Sequence, residues 1–363
     1  VPKSSLNIEA PRRSAGLDWL AKNLLAWFEV HGRKDLPWQV NRTSYRVWIS
    51  EIMLQQTQVK TVIPYYKKFM QRFPRISDLA KADLDEVLHF WTGLGYYSRA
   101  RNMHITAQRV EKQFKGILPT KIEDLMELPG IGRSTAGAIL ALSYGKPAAI
   151  LDANVKRVLA RFHAIGGYPE SAATSKTLWQ QAEKHIPQNK AAEYTQAIMD
   201  LGATICTRDP RCEFCPLLDR CKAYVAEKQH LYPEKRPIQK KRIKEVRMFI
   251  IGNSNGEYLL QKRPDTGIWA QLWSLPERPA SYTPEEMINE LQHLGKSQYS
   301  AVTGPEIEHS FSHFKLNIEP IHIDLKVSLK TQNKQQWRWY HPEKNQRIGL
   351  AGPVSKLLNR EYQ

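Results

Sequence analysis

Cysteine is scarce in this 363-residue chain, and the four present all lie between Cys206 and Cys221. Cysteines confined to one short segment argue against disulfides scattered through the fold and favour a local metal centre. Long apolar runs are missing too. No stretch approaches the roughly 20 residues of a membrane span, and residues 1–16 pair no basic start with an apolar run. A cytoplasmic protein is expected, with residues 1–16 left out of the fold reading because they carry no usable pattern. Acidic residues are in deficit, 36 Asp plus Glu against 53 Lys plus Arg, a formal charge of +17. That excess is more than solubility needs and points to a polyanionic partner, nucleic acid being the natural case.

The length allows two packed cores. Apolar residues recur at helical spacing in Leu17–Phe28, Tyr45–Gln56, Val62–Phe73, Leu84–Trp91, Arg99–Phe114, Thr135–Tyr144, Val155–Phe162 and Ala191–Ile205. An all-helical domain over 17–230 is expected. Residues 231–245 carry Pro233, Pro237, Lys235, Arg236, Lys240, Lys241, Arg242 and Lys244 with few apolar residues, a basic linker. Strand-like runs follow at Val246–Ile251, Glu257–Gln261, Ile307–Phe314 and Ile318–Leu325, with one helical candidate at Pro284–Leu294. A smaller α+β domain over 246–363 is the expectation.

Leu128-Pro129-Gly130-Ile131-Gly132 is a tight turn between two helical patterns, followed by Arg133. Gly130 and Gly132 let a backbone come close to a ligand, and the N–H groups opening the next helix can hold a phosphate. Asp152 opens another helix; an ordinary N-cap would look the same. A carboxylate at a helix N-terminus stays ionised, as a stabiliser of positive charge on a sugar must. Glu51 is the only charged side chain in the apolar run Val47–Leu54. It is either the exposed position of an amphipathic helix or a part-buried acid whose proton is retained. Cleaving an N-glycosidic bond calls for this pair, an acid for the leaving base and an anion for the oxocarbenium-like sugar.

Cys206, Cys212, Cys215 and Cys221 follow the pattern Cys-x5-Cys-x2-Cys-x5-Cys. Zinc sites usually use two close Cys pairs, whereas one pair flanked by single cysteines suits a [4Fe-4S] cluster; zinc stays as the alternative. Arg208, Arg211, Arg220 and Lys222 interleave these residues and offer a basic surface to phosphates.

Glu51–Val59, Gly93–Arg99, the Leu128–Gly132 turn, Asp152 and the four-cysteine loop together resemble the helix-hairpin-helix DNA glycosylases, and among them the adenine DNA glycosylases. The likeness runs from Leu17 through the C-terminal region. It implies a hairpin at about 122–140, an iron-sulfur loop at 206–221 and a Nudix-like domain. It further implies that Glu51 protonates adenine and later activates water, that Asp152 stabilises the cationic sugar, and that Asn154 holds Asp152. Trp38, Leu54, Ser134 and Gln196 would line the adenine pocket. Gln56 and Tyr96 would wedge into the base stack, with Thr57 and Leu94 beside the opposing base. Leu259–Pro276 resembles the start of a Nudix fold, and His309-Ser310-Phe311-Ser312-His313 matches the loop that reads 8-oxoguanine. There Ser312 would hydrogen-bond the damaged base while Phe311 and His313 shape the loop. The implied substrate is double-stranded DNA holding an 8-oxoguanine:adenine or guanine:adenine mispair, bound by a monomer in the bacterial nucleoid.

Three departures stand out. Ala153 replaces the usual Gly, and the first cysteine interval is five residues where six is common. Ser134 stands where bifunctional glycosylases carry a Lys nucleophile and other adenine glycosylases a Tyr, which removes the amine a Schiff-base lyase needs. Thr283–Gly295 lacks the Glu-rich helix that holds magnesium in Nudix hydrolases, so nucleotide hydrolysis is not expected. A bifunctional pyrimidine glycosylase and a noncatalytic DNA-binding protein are the remaining alternatives.

Overall fold

The computed structural model describes residues 17–236, 241–295, 297–326, 336–344 and 346–359. The basic stretch therefore lies in part, at 237–240, outside the described residues, as do residues 1–16. The chain divides into two compact units: Val1–Glu51 with Leu118–Arg236, and Ile52–Ile117 with Pro237–Gln363. No helix among the described residues is long and apolar enough to cross a membrane.

Twelve α-helices precede residue 236 among the described residues: α1 Trp19–His31, α2 Ser44–Leu54, α3 Val59–Arg72, α4 Ile76–Lys81, α5 Leu84–His89, α6 Ser98–Phe114, α7 Ile122–Met126, α8 Arg133–Tyr144, α9 Ala153–His163, α10 Ala172–His185, α11 Ala191–Thr204 and α12 Lys222–Val225. The first unit is built around α8, which is buried from Ala136 to Leu142. Small side chains let neighbours approach its backbone closely. At Gly137 a Cβ would come 2.2 Å from the carbonyl oxygen of Ala149. Helix α11 packs against α8, α1 and α9. Helix α9 buries Val155, Val158, Leu159 and Phe162 at three- and four-residue spacing, which is the face that seats it in the core. Helix α10 and the short α4 and α12 fall outside the sequence-based helices; α10 carries only Leu178, Ala182, Thr174 and His185 inward, too sparse an apolar stripe to be read.

In the second unit α6 buries Ala100, Met103, Ala107 and Val110 and packs against α4. The strands are β1 Arg242–Gly252, β2 Tyr258–Lys262, β3 Trp273–Ser274, β4 Glu277–Pro279, β5 Tyr299–Thr303, β6 Ile307–Ser310, β7 Phe314–Leu325 and β8 Trp337–Tyr340, with α13 Pro284–Glu290 and α14 Gly352–Leu358. They form one mixed sheet in the order β3-β2-β1-β7-β5, with β4 beside β1, β6 beside β7 and β8 beside β2. Strands β1 and β7 run parallel, from Arg242 opposite Phe314 to Gly252 opposite Asp324. That pairing starts β1 four residues before the expected Val246, because its exposed basic half needs no apolar face to join the ladder. The run expected as one strand from Ile307 to Phe314 instead breaks at Ser310. Residues 311–313 turn the chain back, closed by the Phe311 N–H donating to the Phe314 carbonyl at 2.9 Å.

Helical and sheet segments of this unit are tied by polar contacts. Asp85 accepts from the Trp273 indole N–H at 3.0 Å and pairs with Lys262, while the Tyr97 hydroxyl donates to the Leu350 carbonyl at 2.7 Å. At Gly349 a Cβ would lie 2.4 Å from that of Leu88, so only glycine permits this approach.

Candidate functional site

Helix α2 buries Val47, Trp48, Ile49, Ser50, Ile52 and Met53, so Glu51 is part-buried among side chains that offer it little solvation. Burial, and then the charge of Asp152, push its carboxyl up to about 8. The second cause shows that the two carboxyls feel one another although a hundred residues separate them in sequence. Asp152 is the N-cap of α9: its Oδ1 accepts from the Val155 N–H at 2.7 Å, and Asn154 Nδ2 reaches Oδ2 at 3.4 Å. Burial raises the Asp152 carboxyl as well, against the opposing pull of those two donors and of Arg157. The capping role and the catalytic expectation thus fall on one carboxylate. Of two coupled acids, the one with donors gives up its proton first, leaving Glu51 protonated and Asp152 anionic. Ala153 is exposed as the first residue of α9, and among the described non-glycine residues of positive φ it does not figure, so a side chain is accommodated there.

Two arginines of α9 join this end of the helix to the cysteine loop. Arg157 donates to Asn154 Oδ1 at 2.8 Å, to the Gly202 carbonyl at 2.6 Å and to the Cys206 carbonyl at 2.6 Å. One turn on, Arg161 contacts the Cys206 sulfur at 3.4 Å and donates to the carbonyls of Thr207 and Arg208. Gly202 makes the approach of α11 possible, since a Cβ there would stand 2.6 Å from that of Asn154. Cys206, Cys212, Cys215 and Cys221 are unbridged and line one cavity with Val158, Phe162 and Leu217. Burial, partly joined by the charges of neighbouring cysteines, raises the Cys212 and Cys221 thiols and pushes Cys215 up to about 12. Four such thiols suit a cationic centre that offsets their charge. Among the described residues no group of three or more His, Cys, Asp or Glu side chains is spaced to hold a metal ion.

The hairpin runs from α7 through Gly130, at φ +81°, to Gly132, which caps α8 in extended conformation. Open space lies where a Gly132 Cβ would point. The Ser134 hydroxyl accepts from the Leu151 N–H at 3.0 Å, beside Asp152. Trp38 and Gln196 are buried. Asp200, fully enclosed, accepts from the Gln196 amide at 2.9 Å, from the Arg33 backbone N–H at 2.8 Å and from its guanidinium. A carboxylate accepts only, so it fixes which end of the Gln196 amide faces it. Leu54 closes α2, three residues after Glu51, and is part-buried.

In the second unit the expected wedge residues Gln56 and Tyr96 are both exposed and both left-handed, at φ +55° and +48°. Arg99 holds these turns together. It donates to the carbonyls of Ile52, Met53, Gln55, Leu94 and Gly95 and to the Thr57 hydroxyl, at 2.5 to 3.4 Å. Burial pulls its guanidinium down to about 10, still charged near neutrality. Leu94 is buried at 6% exposure, its N–H donating to the Trp91 carbonyl at 3.0 Å and its carbonyl accepting from Arg99 at 3.3 Å. The turn Gly93–Arg101 and the tip residues His309–His313 line one cavity of about 630 Å³ with Gly267–Trp269. Ser312 and His313 are exposed there, Oγ to Nδ1 at 3.2 Å, while burial lowers the His309 imidazole.

Sequence reasoning missed Arg99, Arg157, Asp200 and Gly202 as supports of these sites. Arg99 sits on the apolar face of α6 and Asp200 within an apolar helical run, the same signal that singled out Glu51.

Residues 49–184 match the family described as HhH-GPD superfamily base excision DNA repair protein, and residues 247–360 match the NUDIX domain. The adenine DNA glycosylase of Buchnera aphidicola subsp. Acyrthosiphon pisum is 42% identical over 337 residues, covering 92% of this chain and 95% of that protein. That of Homo sapiens is 34% identical over 404 residues, covering 94% of this chain and 73% of the human protein. Among solved structures, a thermostable thymine-DNA glycosylase is 31% identical with a TM-score of 0.52, covering 57% of this chain and 95% of the other.

Proposed function

The chain belongs to the adenine DNA glycosylase family, and we propose that it removes adenine mispaired with 8-oxoguanine or guanine, as a monofunctional enzyme of base excision repair. The target adenine leaves the stack, at an unstacking cost of a few kcal/mol that wedging by Gln56 and Tyr96 offsets. Glu51 then donates its proton to N7, and the glycosidic bond breaks with its electrons passing to the base. Asp152 stabilises the oxocarbenium-like sugar, its carboxylate steadied by the Val155 N–H and Asn154. Glu51, now ionised, takes a proton from the water that attacks the anomeric carbon. Ser134 supplies no amine for a Schiff base, so the strand stays intact. The observation that carries this reading is the coupling of a raised Glu51 to Asp152.

Trp38, Leu54, Ser134 and Gln196 are assigned to the adenine pocket, and Gly130 and Gly132 to a phosphate at the start of α8. Thr57 and Leu94 are assigned to the neighbourhood of the opposing base. Ser312 is assigned to the opposite base, where 8-oxoguanine carries an N7–H donor and guanine an acceptor. His309, Phe311 and His313 shape that contact. Cys206, Cys212, Cys215 and Cys221, which line one cavity, would hold a [4Fe-4S] cluster. Held there, it would brace the loop that carries Arg208, Arg211 and Arg220.

The test is a duplex assay on 8-oxoguanine:adenine with and without alkali, beside iron and zinc analysis. Strand breaks that need alkali, and iron without zinc, are expected. Breaks without alkali would exclude the monofunctional mechanism, and zinc alone would exclude the cluster.

A further inference from the structure

The tip residues Ser312 and His313 are exposed, so their positions depend on what lies behind them. Behind them stands a run of aromatic rings. Phe311 and Phe314 stack at 4.4 Å with planes 10° apart, His309 meets Phe311 edge-on at 4.7 Å, and Trp269 lies 5.4 Å from Phe311 and 5.7 Å from His309. Lys241 Nζ donates to the Phe311 carbonyl at 2.6 Å. Trp269 is only 8% exposed, and its backbone is left-handed at φ +54°, a conformation that bulky residues avoid. The loop around it holds that conformation: the Leu272 N–H donates to the Trp269 carbonyl at 3.0 Å and the Gln271 N–H to the Pro264 carbonyl at 2.9 Å. From the other wall of the cavity Arg101, on α6, donates to the Ala270 carbonyl at 2.8 Å. Helix α6 starts directly after Tyr96 and Tyr97. One guanidinium therefore links the turn that bears Tyr96 to the loop on which the tip rests.

We propose that Trp269 and Arg101 are positioning residues for opposite-base discrimination, Trp269 by stacking behind the tip and Arg101 by fixing the Trp269 loop to the Tyr96 turn. The inference rests on the assignment of Ser312 to the opposite base. Discrimination by a single hydrogen bond demands placement within about 0.5 Å, which an exposed three-residue turn cannot provide alone.

The experiment measures single-turnover adenine release by the full-length protein from duplexes holding 8-oxoguanine or guanine opposite adenine, and compares the ratio of the two rates. Trp269→Leu should lower the ratio about tenfold, the worth of one hydrogen bond, while Trp269→Phe keeps a ring behind the tip and most of the ratio. Arg101→Met should lower the ratio less, and Arg101→Lys should restore it, since an ammonium can also donate to the Ala270 carbonyl. A ratio unchanged in Trp269→Leu and Arg101→Met, or equally reduced in Trp269→Phe and Trp269→Leu, would overturn the proposal. If Trp269→Leu does not fold, the two Arg101 variants decide alone. Ser312→Ala run in parallel separates the failures: an unchanged ratio there overturns the loop assignment together with this inference. A ratio lowered in Ser312→Ala but kept in Trp269→Leu and Arg101→Met overturns this inference only.

Discussion

Around Glu51 and Asp152 the first unit takes two carboxyls out of water, whereas at Phe311–His313 the second unit leaves its polar groups in it. Each arrangement fits a different demand. Acid catalysis needs a proton kept against the pH of the surroundings, and here desolvation, helped by a second negative charge, raises a carboxyl to about 8. Reading a base needs donors and acceptors that are free until the base arrives, so the tip is exposed and its rigidity is supplied by buried rings and a left-handed Trp269. Order thus surrounds the group that does chemistry in one unit and lies behind the group that reads a base in the other.

The largest effect that can break this contrast is expected from Glu51→Gln. Loss of the general acid should lower single-turnover adenine release by about 10²- to 10⁴-fold, equally opposite 8-oxoguanine and guanine, leaving their ratio and duplex binding as they are. In the unsubstituted protein the competent protonated form exists below about 8 and is lost as the pH rises through that value. A rate that stays flat through pH 8, or near-normal release by the variant, would remove Glu51 from the proton-donating role.

Gly202→Ala comes next. The added carbon would meet Asn154 Cβ at 2.6 Å and its carbonyl oxygen at 3.0 Å, atoms too close to the backbone to swing aside. The first turn of α9 must shift, and with it Asp152. Misplacement of a reacting group by about 1 Å costs on the order of 10²-fold, and overpacking destabilises by roughly 1–3 kcal/mol. Release rates and thermal denaturation check both; a variant with normal rate and lowered Tm would show that Asp152 does not depend on this contact.

Much of this was legible because the chemistry needs residue types that look out of place. A lone acid in the apolar stretch Val47–Leu54, an acid opening a helix and four cysteines in one segment could be picked out before any fold was known. The long helices followed from apolar spacing, as in α6 and α9. What could not be read was support. Arg157 looks like an ordinary surface arginine of α9 until Asn154, Gly202 and Cys206 are brought around it. The alternation alone ran Ile307–Phe314 as one strand and only the family resemblance set His309–His313 apart as a loop, because the turn at 311–313 is closed by one backbone hydrogen bond and by ring stacking that no local alternation records. Leu94, expected beside the opposing base on the strength of its motif, is buried in the turn, a burial that its motif alone did not reveal.

The smallest expected effect separates the two regions by stability alone. Glu51 holds its proton to about 8 in the folded chain, against an ordinary value of 4.5. Folding therefore requires a proton that the unfolded chain releases above that lower value. For an acid whose pKa is raised on folding, stability is unaffected below the unfolded value, declines as the pH climbs from 4.5 to about 8, and levels off above. At pH 7 the linkage amounts to at most about 3 kcal/mol, and relaxation around the site brings the measurable part nearer ~1–2 kcal/mol, a few degrees in Tm. Glu51→Gln removes the ionisable group, so it should melt above the unsubstituted protein at pH 7, with a gain that widens between pH 5 and pH 8. Ser312→Ala, altering an exposed hydroxyl, should shift Tm little and by the same amount at every pH. Denaturation series across that range decide the matter: a Glu51→Gln gain independent of pH would mean that its carboxyl is not held out of water, and the contrast between a buried acid and an exposed reader would lose its physical basis.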